Sequence, residues 1–373
     1  MVSLVIACNS RALGGAEILS IRLAEALTQR GIPVALALPE DSPACARAAG
    51  AHIQTLPLEV GPKISFRNIF LTLLRAPWDY LAFRRFLKAH IVSQPGCPIV
   101  FQFKKEQFLG TLAAHRLGIR VHWIEHGPLP KGMCRWPWTA LYRMASRRAS
   151  QIIVVSSATQ KSLERCGVPS EKIRVIYPGI PVSFFNSDGA ASEGELVIGT
   201  VSRLLRNKCI DDFILAASLV CKRWPAAKFL IVGDGADRAR LEQFARTHAL
   251  TGIHFAGAQS PVEPWIRRMT VVVNSTAAEG EGMPLRILEA MACGRAVVST
   301  DIGGCAEALG YGRYGRLVPP KRPDLLAAAI EDLLKHPDET AWLGKEAQAW
   351  CRQTFSQDAI AMQWMDALGL PVR

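Results

Sequence analysis

The chain reads as an α/β protein of two Rossmann-like domains facing across a cleft. Three observations predict this. Short apolar runs of strand length recur along the whole sequence, helix-period segments separate them, and the second half repeats the style of the first. Fully apolar strands between helices imply parallel sheets covered on both faces. At 373 residues the chain exceeds one ordinary core, so two domains of about 180 residues each follow.

In the first half the expected strands are VSLVIAC, PVALALP, PIVFQF, VHWIEH and QIIVVSS. The helix AEILSIRLAEALTQRG lies between the first two and ends at Gly31. In the second half ELVIGTVSR, AKFLIVGDG, IHFAGA, VVVNST and AVVSTD are expected strands. Helices are expected at about 211–223, 236–248, 284–293 and 323–335. The stretch 180–195, IPVSFFNSDGAASEGE, is rich in Ser, Gly and Pro and follows a strand-like KIRVIYPG, so it is the expected linker. The domains are then 1–180 and 196–355, followed by a final helical segment, 356–373. In such sheets ligands bind at the carboxyl ends of the strands.

Composition narrows the class. Hydrophobic residues make up 49% and charged residues 20%, which is globular and not disordered. No apolar run is long enough to span a bilayer, and MVSLVIACNS reads as a first strand, not a signal peptide. The ten cysteines are scattered without a C-x-x-C pair, which fits reduced cytoplasmic thiols better than a disulfide framework or zinc site. A net charge of +12 favours an anionic partner. The basic residues are uneven. Residues 63–90 mix Lys63, Arg67, Arg75, Arg84, Arg85 and Lys88 with Phe, Leu and Trp. Residues 131–148 combine Trp136, Trp138 and Tyr142 with Lys131, Arg135, Arg143, Arg147 and Arg148. Such segments suit the headgroup layer of an anionic membrane. No nucleic-acid motif is present, so no nucleic acid is expected.

The most informative stretch is EGEGMPLRILEAMACG at 279–294. It puts Glu281 in a glycine-bearing turn and Glu289 along the helix that follows. Pro284 fits the first helical position and Gly294 the stop. The N–H groups of Gly282, Met283 and Leu285 are then expected to point out of the helix N-terminus, where a phosphate is favoured. A pyrophosphate at the helix end, sugar hydroxyls on one carboxylate and ribose hydroxyls on the other would make a nucleotide-sugar site. GTVSRLLRNK at 199–208 places Arg203 and Lys208 after an apolar strand, two cations suited to a diphosphate leaving group. FLIVGDGADRARLE lacks the third glycine of a dinucleotide fingerprint and reads as a turn lining the nucleotide side. Gly14 and Gly15 stand before the first helix, where bare backbone suits a phosphate or an acceptor. His122, Glu125 and His126 spell H-x-x-E-H, but that zinc motif needs a helix and the flanks here are β-like, so no metal is expected. His126 is instead expected at a strand end, facing the cleft and the transferred sugar.

Taken together, GGAE, HG at 126–127, VVSSATQKSLERCGVPSEKIRVIYPGI, GTVSRLLRNK, IVGDG, EGMPLRILEAMACGRAVVSTDIGG and YGRLVPP resemble the retaining glycosyltransferases of family 4, with the GT-B fold. They span nearly the whole chain in order. The resemblance implies a nucleotide-sugar donor on the C-terminal domain, a glycan or lipid-linked acceptor on the N-terminal one, no metal or other cofactor, and retention of anomeric configuration. It implies that Arg203 and Lys208 hold the diphosphate, Glu281 the sugar hydroxyls and Glu289 the ribose. His126 would approach the sugar and Gly15 line the diphosphate or acceptor side. It also implies that the last helix crosses back to the N-terminal domain. Cys209 stands where the family usually has glycine, and Arg286 where small or apolar residues are common. The corresponding role is surface-polysaccharide or lipopolysaccharide assembly by a cytoplasmic protein in peripheral contact with the inner membrane face. The alternatives are a nucleotide-sugar epimerase, an NAD-type oxidoreductase, or a non-catalytic sugar- or lipid-binding protein on the same fold.

Overall fold

In the computed structural model the described residues are 2–61, 69–185, 195–250, 252–277 and 280–371. The chain forms two compact units, Met1–Gly179 with Gln357–Arg373, and Ile180–Ser356. The expected linker at 180–195 is thus partly reassigned. Residues 180–185 belong to the second unit, where Ile180 bridges Ser356 and its N–H donates to Phe355 O at 2.8 Å. Residues 186–194 lie outside the described residues, as do Lys63 and Arg67.

The first unit runs β1 (Leu4–Ala7), α1 (Gly15–Gln29), β2 (Val34–Leu38), α2 (Pro43–Gly50), β3 (Gln54–Pro57), α3 (Ile69–His90), β4 (Ile99–Phe101) and α4 (Thr111–His115). It continues with β5 (Val121–Glu125), α5 (Trp138–Ser146), β6 (Gln151–Val154), α6 (Ser157–Arg165) and β7 (Ile173–Val175). Its seven strands are ordered β3-β2-β1-β4-β5-β6-β7 and all pair in parallel. All four residues of β1 are buried, because helices cover both faces of the sheet. α1 opens where the Glu17 carboxylate accepts the Gly14 N–H at 2.8 Å and closes at Gly31, whose φ of +75° glycine adopts without strain.

The second unit runs β8 (Val197–Val201), α7 (Ile210–Arg223), β9 (Lys228–Val232), α8 (Arg238–Thr247), β10 (Ile253–Gly257), α9 (Glu263–Arg267) and β11 (Val271–Asn274). Then follow α10 (Leu285–Ala292), β12 (Ala296–Thr300), α11 (Cys305–Ala308), β13 (Arg316–Val318), α12 (Pro323–Lys335) and α13 (Pro337–Phe355). Its parallel sheet is ordered β10-β9-β8-β11-β12-β13. Phe213, Ile214, Ala217 and Val220 of α7 bury one helical stripe, with Phe213 edge-on to Phe229 of β9 at 6.5 Å between ring centres.

The last helix, α14 (Gln357–Leu368), packs in the first unit. Gln357 Nε2 donates to Arg22 O at 2.8 Å, Arg30 pairs with Asp358 at 2.7 Å, and Arg174 pairs with Asp366 at 2.6 Å.

Each sheet reverses its strand order at one point, between β1 and β4 in the first unit and between β8 and β11 in the second. Loops leaving the strands at such a reversal diverge and open a crevice at the carboxyl ends. The sites below lie there.

Candidate functional site

In the second unit the loop after β8 carries Arg203 and a short 3₁₀ turn, Arg206–Lys208. The loop after β11 carries Glu281. Lys208 Nζ donates to Glu281 Oε2 at 2.6 Å, and both side chains are about one-sixth exposed, at 16% and 17%. Two residues 73 apart in sequence are thus brought together at the reversal point. Ser275 Oγ donates to Lys208 O at 3.2 Å, which ties the two loops a second time. Asn274 Nδ2 donates to Ser299 Oγ at 3.0 Å, linking the ends of β11 and β12. Arg203 is exposed and has no ion-pair partner among the described residues.

Glycines fix this geometry from behind. A Cβ on Gly303, whose φ is +52°, would lie 1.8 Å from Glu281 O, so only glycine lets the loop after β12 back onto the Glu281 turn. A Cβ on Gly233, in the GDG turn, would meet Ser202 O at 1.8 Å. The GDG turn therefore supports the loop that carries Arg203. Its backbone does so directly, since the Leu204 N–H donates to Asp234 O at 2.9 Å.

Gly282, Met283, Pro284 and Leu285 are buried. Pro284 stands one position earlier than expected. It is the N-cap, with an extended ψ of 111°, and Leu285 is the first helical residue. Its φ of −71° would suit the first helical position, and it is the extended ψ that leaves Pro284 outside the helix. Gly294 is the stop, at φ +68°. Glu289 of α10 is fully buried and forms an ion pair with Arg286, which is 30% exposed and one turn earlier. Arg286 therefore covers the carboxylate expected to face a ribose. Cys209, where glycine was expected, sits at φ 48° and ψ 45°, the left-handed conformation that glycine accepts freely. Burial pushes the Cys305 thiol, which lies 3.6 Å from Asn274 Nδ2, up to about 11, so it stays protonated.

In the first unit, His126 follows β5 and Gly15 opens α1. His126 Nε2 lies 2.7 Å from Gln102 Oε1, while Gln102 Nε2 donates to Ala7 O at 3.3 Å. An amide oxygen only accepts, so His126 Nε2 carries the proton. His122 lies within β5 and is buried, with neither ring nitrogen hydrogen-bonded among the described residues. Glu125 pairs with Lys104 and accepts from Tyr142 Oη at 2.7 Å. The three residues of H-x-x-E-H thus go to separate surroundings: Glu125 has the opposite strand parity to His122, and His126 lies beyond the end of β5.

A buried polar network here went unread in the sequence. The Glu106 carboxylate accepts from the N–H groups of Asn9 at 2.5 Å, Gln102 at 3.0 Å and Phe103 at 3.0 Å, joining the loops after β1 and β4. Lys105 and Asp79 pair at 2.6 Å, each almost wholly buried. Asp79 also accepts from the Gly61 N–H at 2.9 Å. Burial lowers the Lys104 ammonium and raises the Tyr142 phenol well above its ordinary value. The signal was present: FQFKKEQ puts two lysines and a glutamate straight after an apolar strand. Tyr142, expected on a membrane-facing surface, is instead fully buried in this core beside Trp123.

Comparison with known proteins gives the class. One family model, Glycosyltransferase Family 4, matches residues 13–184, and a second, Glycosyl transferases group 1, matches residues 195–336. An exopolysaccharide phosphotransferase of Streptomyces coelicolor is 29% identical over 217 residues, covering 57% of this chain and 22% of that protein. The N,N'-diacetylbacillosaminyl-diphospho-undecaprenol alpha-1,3-N-acetylgalactosaminyltransferase of Campylobacter jejuni is 26% identical over 264 residues, 66% of this chain and 67% of that protein. The chain thus spans about a fifth of the first relative and two thirds of the second. Among solved structures, HepE of Anabaena in complex with UDP aligns with a TM-score of 0.82 at 22% identity, covering 98% of this chain and 99% of that one. At that identity the likeness establishes the fold. The chain belongs to the family 4-like glycosyltransferases of GT-B fold.

Proposed function

We propose that the protein moves a sugar from a nucleoside-diphosphate sugar to a glycan or lipid-linked acceptor, with retention of anomeric configuration, in bacterial surface-polysaccharide or lipopolysaccharide assembly. The observation that carries this reading is the Lys208–Glu281 pair at the strand-order reversal of the second unit. A cation and a carboxylate there divide the donor between them. The diphosphate takes Lys208, with Arg203 as a second cation, and the sugar hydroxyls donate to Glu281. Because the two side chains hold each other in the free protein, both are already oriented when the donor arrives.

In the transfer the anomeric carbon–oxygen bond to the diphosphate breaks as the acceptor oxygen bonds to the same carbon from the same face. The acceptor proton passes to the departing diphosphate oxygen. Negative charge grows on that diphosphate, where Arg203, Lys208 and the N-terminal end of α10 beyond Gly282 and Met283 stabilise it. His126 contacts the transferred sugar and Gly15 lines the acceptor or diphosphate side. Glu289 takes the ribose hydroxyls once Arg286 shares or releases it. The positive charge comes from the chain's own side chains, so the reading uses no metal. The undecaprenol-linked name of the Campylobacter relative and the basic, apolar surface of α3 support a lipid-linked acceptor at an anionic membrane face.

The test is release of nucleoside diphosphate from a panel of UDP-, GDP- and ADP-hexoses, with UDP-hexoses first because HepE is solved with UDP. Lys208→Ala should lower turnover by about a hundredfold, the usual loss for one donor to a developing anion, while circular dichroism stays unchanged. Unaltered turnover in a folded variant overturns the assignment.

A further inference from the structure

Cys134 ends a 3₁₀ turn, Lys131–Cys134, and Cys166 caps the C-terminus of α6. Both thiols are free, and the Cys166 thiol points at Cys134 Sγ at 2.8 Å. A bonded pair stands at about 2.05 Å, so closure asks for a movement of about 0.75 Å, the difference between that length and 2.8 Å. The surroundings already hold the two elements together. The Leu129 N–H donates to Ser162 Oγ of α6 at 3.1 Å, and a Cβ on Gly167 would meet Arg143 Nε of α5 at 3.0 Å. Access to the two sulfurs differs sharply. Cys134 is exposed, whereas Cys166 is 3% exposed.

We propose that Cys134 and Cys166 form a reversible disulfide that locks the exposed segment from Lys131 to Trp138 onto α6. The oxidant is a low-molecular-weight disulfide, RSSR. Exposed Cys134 loses its proton and its thiolate attacks one sulfur of RSSR, giving a mixed disulfide and a thiolate that takes up that proton as RSH. Cys166 then loses its proton and attacks Cys134 Sγ, forming the protein disulfide and expelling the second RSH. Two protein thiols are oxidised and one RSSR is reduced to two RSH. The order follows from access, since only Cys134 meets an external disulfide. Burial and the hydrogen bond to Cys134 push the Cys166 thiol up to about 12, which suits a group that reacts only with a partner already in contact. The locked segment carries Arg135 and Trp136, the latter 85% exposed. The proposal stands apart from the donor-site reading.

The experiment treats the full chain with oxidised glutathione, quenches by alkylation and maps peptides by mass. The expected result is a Cys134–Cys166 cross-linked peptide, lighter by two hydrogens and released by dithiothreitol. Tryptic cleavage after Lys131 and Arg135 should slow about fivefold in the oxidised protein, since a cross-link restricts local opening. Cys166→Ser should stop at the mixed disulfide on Cys134 with cleavage unslowed. Wild type that stays reduced, halts at glutathionylated Cys134, pairs either thiol with another cysteine, or is cleaved at an unchanged rate overturns the proposal.

Discussion

Arg286 and Glu289 are the residues at which this chain departs most from a simple donor site. A fully buried carboxylate is costly unless its charge is met, and Arg286 meets it from one turn away. Breaking a buried pair from one side costs about 3–5 kcal/mol, and a partner that keeps partial contact with water lowers that. With Arg286 30% exposed, Arg286→Leu should destabilise the second unit by about 2 kcal/mol, read as a fall in urea midpoint. An unchanged midpoint would mean that other contacts suffice for Glu289. Cys209 makes a second point at this scale. The left-handed backbone after Lys208 gives a physical reason for glycine at that position, and this chain holds the same conformation with a side chain.

Among the elements, β5 carries a pH signature. Burial, with the nearby Arg120 charge, holds His122 down to about 4 from its ordinary 6.5. Below pH 6.5 the unfolded chain takes up a proton that the folded chain refuses until about pH 4. Stability therefore falls as pH drops through that window, by about 3 kcal/mol in all. His122→Leu removes both the titration and the two unsatisfied ring nitrogens. Its melting temperature should change less between pH 7 and pH 4.5 than that of wild type, and equal slopes would refute the assignment.

Elements also show what the sequence could and could not convey. The central strands, such as Val271–Asn274 and Leu4–Ala7, are apolar runs because helices cover both faces. β3 was missed because it is an edge strand with three of its four residues exposed, so Gln54, Thr55 and Pro57 leave no apolar run to find. β13, at the edge of the other sheet, was missed because its three residues, Arg316 to Val318, are too short an apolar run and begin with a charge. At the site, Lys208 and Glu281 were legible as strand-end charges, but their contact across 73 residues is set by the reversal of strand order. The cover of Arg286 on Glu289 was not legible, because a helical i, i+3 spacing permits the pair without requiring it. Glu106 and Lys105 follow an apolar strand in the sequence, but their burial and partners are set by the fold.

For the whole molecule, part of the net charge of +12 lies beside exposed apolar side chains on α3. The N-terminal turns of α3 expose Phe70 at 73%, Leu73 at 61% and Trp78 at 68%, while Arg75, Arg84, Arg85 and Lys88 are exposed along the same helix. No helix among the described residues is long and apolar enough to cross a membrane, and the contact proposed here is a peripheral one. Apolar side chains beside cations match an anionic lipid surface, each cation adding about 1 kcal/mol. Co-sedimentation should show binding to vesicles rich in phosphatidylglycerol and little binding to neutral ones. The paired change Phe70→Ser and Trp78→Ser should weaken it at least about tenfold, the loss of two interfacial aromatics. Equal binding by the variant, or self-association through this face in place of vesicle binding, contradicts the docking claim.

The central claim is that the second unit holds the diphosphate of its donor through Lys208, which Glu281 keeps oriented. Its most direct test is calorimetric titration of UDP, GDP and ADP into the wild-type chain and into folded Lys208→Ala. The account predicts that one of these nucleotides binds wild type and binds the variant at least about tenfold more weakly, the loss expected when a charge-assisted bond to phosphate is removed. Equal affinity for both proteins, or no binding of any nucleoside diphosphate to wild type, would contradict it.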